Sequence, residues 1–257
     1  MNFLLATADW RMTCVFAAAM AILVLCLKIV SAMRRRPPPG FWLTLLPSSV
    51  SFRRITEGNS SQASHALLRC AGAVLGFAAV WLTCRGVVNA MGFSKLALGW
   101  FAAPLVWLMG EVASALHQLL WLPSGRLLPA AHGNIFAART LAEFWGRRWN
   151  VWMSDWFREI IFLPLRARPL LAMLFVFLVS GIIHEAVVNL GFWLLTGKSL
   201  FGSMMAYFGL QAAGMFVERL WLAGSPRVTR LFAWVVVLGP APLFVNEGIL
   251  GAFWLWP

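Results

Sequence analysis

An imidazole and a carboxylate stand side by side in Ser180-Gly181-Ile182-Ile183-His184-Glu185, inside an otherwise apolar run. Ionisable groups at membrane depth are costly to bury and mark functional sites by default. About one membrane span earlier lies Phe144-Trp145-Gly146-Arg147-Arg148-Trp149-Asn150, rich in tryptophan and arginine. An imidazole with an unperturbed pKa of about 6.5 is largely neutral at cellular pH and can take a proton from an alcohol. Arg147 and Arg148 offer forked donors to phosphates or a pyrophosphate. Asn150 is suited to holding a carbonyl or capping a break in a helix. Ser180 and Gly181, one turn back, are expected to leave space beside the His184 ring. Glu185, about 100° round the helix, can orient a neighbouring helix, hold a proton or pair with an arginine elsewhere. Each group also has a plainer reading: His184 hydrogen-bonded to a carbonyl, Glu185 in an interhelical ion pair, the arginines on lipid headgroups. Glu111 and His117, within an apolar run, and the loop residues His65 and His132 are weaker candidates.

The elements that must position these groups are membrane helices. The chain of 257 residues is 61% hydrophobic and 12% charged, with a mean hydropathy of +0.77; ordinary soluble domains carry about 25% charged residues. Its 15 Trp against 1 Tyr favour membrane–water interfaces. The expectation is one all-α integral membrane domain over 1–257, because an open sheet cannot satisfy its edges in lipid. It is a bundle of about six spans at 12–33, 67–84, 96–122, 169–195, 200–222 and 230–256. His184 then lies roughly 22 Å along the fourth span. Arg34-Arg35-Arg36-Pro37-Pro38-Pro39-Gly40 ends the first helix, Phe41-Trp42-Leu43 can dip into the interface, and Gly239-Pro240-Ala241-Pro242 breaks the last span. Segment 140–165 differs. Thr140 and Glu143 have capping-box spacing. Trp145, Trp149, Trp152 and Trp156 share one helical stripe, while Glu143, Arg147, Asn150, Ser154 and Arg158 lie roughly opposite. That pattern predicts an amphipathic helix in the interface plane or tucked beneath the bundle.

Lys plus Arg number 21 against 9 Asp plus Glu, a formal charge of +12. The distribution argues against nucleic acid: arginines cluster in loops 34–66, 123–168 and 223–230, and the opposite side holds only Arg11, Arg85, Lys95 and Lys198. The positive-inside rule puts the basic loops on the cytosolic face and both termini outside. That cationic face would attract anionic lipid or a phosphorylated ligand. The long first apolar run, preceded by Asp9 and followed by the positive cluster, is the reverse of a signal peptide. Cys14, Cys26, Cys70 and Cys84 read as small apolar residues, not a metal or disulfide framework. Short loops and the lack of a targeting signal fit a bacterial inner membrane.

Leu141 to Asn150 and Phe177 to Glu185 resemble the two motifs of the wax synthase-like branch of the membrane-bound O-acyltransferases: an aromatic–arginine box ending in Asn, then a span ending in Ser-Gly-x-x-His-Glu. The resemblance covers about 130–190. It implies acyl transfer from acyl-CoA, as co-substrate, to a hydroxyl within a tunnel crossing the membrane. No metal or further cofactor is implied. His184 matches the catalytic histidine and Asn150 the second active-site position. Trp145, Arg147, Arg148 and Trp149 lie in the box associated with acyl-CoA, with Arg158 nearby and Glu185, Ser180 and Gly181 in support. Fatty alcohol, sterol, glyceride and polar metabolite all remain admissible acceptors. Two rival readings are a haem-binding electron carrier with His117 and His184 as axial ligands, and a non-catalytic lipid-binding protein.

Overall fold

The computed structural model describes residues 10–92, 94–221 and 226–256. Asp9 and the start of the basic loop at 223–225 lie outside them. Among the described residues, the helices that frame the site are α1 Trp10–Arg34, α2 Ser60–Met91, α3 Ala103–Trp121, α4 Val151–Phe157, α5 Pro169–His184, α6 Ser203–Trp221 and α7 Pro226–Leu238, with further short helices at Lys95–Phe101 and Leu190–Thr196. Shorter turns connect them, and the one ladder among the described residues pairs Thr56–Glu57 antiparallel with Arg126–Leu127. The all-α membrane bundle read from composition is the architecture observed.

Local chemistry explains the boundaries. Asn59 opens α2 with a reciprocal capping box, its side chain accepting from the Gln62 N–H while the Gln62 side chain accepts from the Asn59 N–H, both at 2.9 Å. The chain turns after α2 at Gly92, whose φ of +81° suits glycine. With 32 residues, α2 is about 48 Å long, more than the roughly 30 Å hydrocarbon thickness, so tilt accommodates it. The α5 helix runs on through a wide π-type turn at Glu185–Asn189 into Leu190–Thr196. That turn, of a kind frequent at functional sites, begins directly after His184.

Among the described residues, 5 helices are long and apolar enough to cross a membrane: Trp10–Arg34, Ser61–Met91, Lys95–Ser124, Pro169–Thr196 and Pro226–Phe244. The expected span at 200–222 is helical as α6, yet Gln211, Glu218 and Arg219 leave it short of that apolarity. Gln211 and Glu218 face protein partners described below, and Arg219 is exposed. The last expected span is broken, as its prolines required: α7 ends at Leu238, and short helices follow at Ala241–Phe244 and Glu247–Ala252.

Antiparallel α5 and α6 pack closely, α2 lies along α3, and α1 rests on Leu190–Thr196 and Glu247–Ala252. The central core joins Leu98, Leu105, Val188, Met204 and Leu250. Phe41 departs from its interfacial assignment. It is fully buried, its carbonyl accepts from the Lys28 ammonium, and its ring lies 4.4 Å from that cation, while Trp42 and Leu43 stay exposed.

Segment 140–165 is not one amphipathic helix. Helix Leu141–Glu143 passes into a wide turn at Phe144–Arg148, and the chain then bends at Asn150, whose φ of 36° and ψ of 65° are left-handed. Asn tolerates that region better than other non-glycine residues. The bend scatters the tryptophan stripe. Trp145 donates to Gln211, Trp152 to the Pro129 carbonyl and Trp156 to the Leu27 carbonyl. These indole N–H groups bind protein partners and do not form an interfacial anchor.

Candidate active site

A cavity of about 960 Å³ runs along one face of α5, lined by Pro169, Leu170, Met173, Val176, Phe177, Ser180 and His184. Their spacing is a single helical stripe, and from Pro169 to His184 it extends about 22 Å. The antiparallel α6 contributes Phe208 near His184, then Met215, Glu218 and Arg219 toward the other end. Trp145, Gly146, Arg147, Trp149 and Asn150 of the box line it, as do Ser154, Asp155 and Arg158 beyond the bend. The two sequence motifs therefore meet in one chamber.

His184 Nδ1 lies 2.7 Å from the Ser180 carbonyl. An N–H on Nδ1 donated to that oxygen leaves Nε2 as the unprotonated acceptor of the neutral ring. The ring packs against Phe208 at 4.7 Å and Phe244 at 5.3 Å between centroids. Phe177, Met173 and Val176 continue the apolar wall. An acceptor base set in an apolar chamber suits deprotonation of a hydroxyl next to a greasy chain.

Asn150 joins the box to α4. Its side-chain oxygen accepts from the Met153 N–H at 3.3 Å, capping α4. The Ser154 hydroxyl returns to the Trp145 carbonyl at 2.6 Å, closing the bend. Trp145 is locked by Gln211 Oε1 at 3.2 Å and by edge contacts with Phe177 and Tyr207. The Thr140 hydroxyl accepts from the Glu143 N–H at 2.9 Å, while the Glu143 carboxylate accepts from the Arg139 N–H at 2.8 Å, one residue before its capping-box target. Buried Glu218 satisfies the next donor of the helix start, its carboxylate accepting from the Leu141 N–H at 2.6 Å. Gln211 and Glu218 were not anticipated as site residues. Their spacing of seven in an apolar helix, which places both on one face, was the available signal.

Arg147, Arg158 and Arg219 are exposed and line the end of the chamber away from His184, with Arg54. Arg54 binds Asp155 at 2.7 Å. Burial holds the Asp155 carboxyl above its ordinary range, partly offset by Arg54 and the Ser51 hydroxyl. Arg148 does not join this group. Its guanidinium is engaged by the Glu143 carboxylate and donates to the Asn134 carbonyl at 2.8 Å, away from the cavity lining. The Arg139 N–H, followed by Arg148, holds Glu143 below the usual carboxylate range. Arg148 is thus tied to Glu143 and Asn134, while Arg147, Arg158 and Arg219 border the chamber.

The supporting residues also separate. Gly181 faces α6, not the imidazole: a Cβ there would lie 2.5 Å from Met205 Sδ and 3.3 Å from Met205 Cα. Glu185 is buried with no ion pair assigned to it among the described residues. One carboxylate oxygen accepts from the N–H groups of Gly202, Met204 and Met205 at 2.9–3.1 Å; the other accepts from Asn189 at 2.6 Å. Of the three roles open to it, orienting a neighbouring helix is the one its contacts serve. His117 stands apart from the lining of the chamber that holds His184. His117 Nε2 accepts from the Leu45 N–H at 3.1 Å, its ring packs on Trp152, and it does not line the chamber.

Fold and site define an integral membrane protein with an arginine-rimmed apolar chamber leading to a half-buried imidazole. The model of the family described as membrane bound O-acyl transferase matches residues 128–210, from the segment preceding the box into α6, and over this segment the chain is similar to that family. It is 30% identical over 160 residues to the "Probable long-chain-alcohol O-fatty-acyltransferase 9" of Arabidopsis thaliana, covering 52% of this chain and 46% of that protein. It is 29% identical over 133 residues to the "Probable long-chain-alcohol O-fatty-acyltransferase 3" of the same plant, covering 44% and 37%. The chain spans about half the length of the first of these relatives, and less of the second.

Proposed function

We propose that this protein is an acyl-CoA-dependent O-acyltransferase that esterifies a long-chain alcohol or a comparable hydroxyl lipid. The single observation that carries this reading is the continuity of one chamber from Arg147 and Arg158 to His184. The nucleotide end of acyl-CoA rests on the arginines and the acyl chain lies along the α5 stripe. The acceptor hydroxyl meets the thioester carbonyl at His184. Nε2 takes the hydroxyl proton as oxygen attacks carbon, the C–S bond breaks, and the proton passes from the imidazolium to the departing thiolate. Products are an ester and free CoA, with no covalent enzyme intermediate. Base assistance of this kind contributes about 10²–10⁴-fold, and confinement of both reactants supplies much of the remainder. The membrane in this reading is the bacterial inner membrane, with the basic segments cytosolic and both termini opposite, as the arginine asymmetry favours.

The test supplies labelled acyl-CoA and a panel of alcohols to membranes bearing the wild type or the His184→Ala protein, followed by lipid analysis. A labelled ester made by the wild type alone supports the proposal; equal ester from both removes it.

Two further outcomes separate binding from chemistry. Arg147→Ala and Arg158→Ala are each expected to raise the KM for acyl-CoA several-fold, about 1 kcal/mol for an exposed charge contact. Because that contact is equal in ground and transition states, kcat should stay near wild type. Arg148→Ala should instead lower thermal stability with little change in KM. At Asn150, alanine loses both the left-handed preference, about 1–2 kcal/mol, and the cap, about 1 kcal/mol. Glycine keeps the backbone at a cost of a few tenths. Stability should therefore recover in Asn150→Gly, while kcat stays low if the amide itself holds the thioester oxygen. Full activity in the glycine variant would limit Asn150 to shaping the bend.

A further inference from the structure

Glu111, Ser114 and Gln118 form a polar stripe on one face of α3 at steps of three and four. Each meets the segment preceding the box. Gln118 Nε2 donates to the Leu128 carbonyl at 2.7 Å, the Ser114 hydroxyl accepts from the Ala131 N–H at 2.9 Å, and one Glu111 oxygen lies 3.2 Å from His132 Nδ1. From α2, Arg69 binds the other Glu111 oxygen at 2.6 Å. Ser114, Gln118 and His132 are all buried. Segment 129–133 then grips both sides of the left-handed bend. The Gly133 N–H donates to the Arg148 carbonyl at 2.8 Å and the Val151 N–H to the Ala131 carbonyl at 2.7 Å. Trp152 donates to the Pro129 carbonyl at 3.0 Å, and the His132 ring stands edge-on to Trp149 with centroids 5.0 Å apart.

A carboxylate in a membrane span is costly and calls for a reason. A non-glycine residue at positive φ persists only where its surroundings over-determine it. Here one feature supplies the reason for the other. We propose that Arg69, Glu111, Ser114, Gln118 and His132 are positioning residues whose strap at 128–133 sets Trp149 and Asn150 against the chamber. They act through the strap and do not touch substrate. The kinetic consequence rests on the acyltransferase reading; the structural consequence does not.

The experiment compares wild type, Glu111→Gln, His132→Ala and His132→Gln, each as the full chain in lipid nanodiscs. Hydrogen exchange is followed on peptides covering 147–152 and 172–183, beside kcat and KM. Glu111→Gln and His132→Ala should speed exchange in 147–152 about tenfold by freeing local opening, with 172–183 unchanged. They should lower kcat about 10- to 100-fold, as small misplacements do, with KM for acyl-CoA within about threefold. His132→Gln, which restores a donor to Glu111, should recover much of both. Unchanged exchange at 147–152 in Glu111→Gln and His132→Ala overturns the strap whatever the activity, and exchange raised equally in both peptides overturns its local character. Raised local exchange in a protein whose wild type forms no ester upholds the strap and defeats the acyltransferase reading.

Discussion

Membranes carrying His184→Ala are expected to form ester about 10²–10⁴-fold more slowly than wild type, at equal protein level and with the same elution in detergent. The size of the loss follows from the position of the ring. Nδ1 is committed to the Ser180 carbonyl, so Nε2 is the nitrogen left to accept a proton. The other groups named along that apolar wall, Phe208, Phe244, Phe177, Met173 and Val176, carry no side-chain base. Folding should survive because the ring borders an existing void. Its removal widens the chamber and creates no new sealed cavity, so the cost falls at the low end for large-to-small changes, about 1–2 kcal/mol. Measured ester formation within threefold of wild type would assign the proton to another group. An unfolded variant would be recognised by its elution and answered with His184→Gln, which retains most of the volume without the base.

Ordering of the chain was largely legible because lipid leaves a backbone few options. Apolar runs, the Arg34–Gly40 stop and the Gly239–Pro242 break all act locally, and local signals are written in consecutive residues. The meeting of His184 with the Trp-Arg box was legible only as two motifs in order. Their union in one chamber depends on the antiparallel α5–α6 pair and the close approach at Gly181, which are tertiary facts. The bend at Asn150 escaped detection for a different reason. Trp145, Trp149, Trp152 and Trp156 keep helical spacing right through it, so periodicity votes for a continuous helix. The opposing information lies in the 128–133 strap, which claims the hydrogen bonds a continuous helix would need. Arg147 and Arg148 show the same limit at single-residue scale. They are adjacent and chemically identical, and only the position of Glu143 decides which one reaches the chamber.

Glu185→Ala should be the most destabilising single change in the bundle, on the order of 4 kcal/mol, read as a fall in the thermal midpoint of tryptophan fluorescence in detergent. Its carboxylate accepts from three backbone N–H groups at the start of α6 and from Asn189. Asn189 and Asn246 extend that network, with Asn246 donating to Asn189 Oδ1 and to Ser203 Oγ at 2.8 Å each. Met204 and Asn189 are buried, so their donors would be left without a partner, and about 4 kcal/mol is a large share of a typical 5–15 kcal/mol total. Glu185→Gln separates this role from proton transfer. Its amide oxygen still accepts from the α6 N–H groups, but its NH₂ confronts the Asn189 donor, so an intermediate loss of about 1–2 kcal/mol is expected. The folded fraction should keep kcat within about threefold, because Phe208, carried on α6, stays against His184. Wild-type stability with abolished turnover in Glu185→Gln would make the carboxylate a proton carrier and move it from the frame of the site into its chemistry.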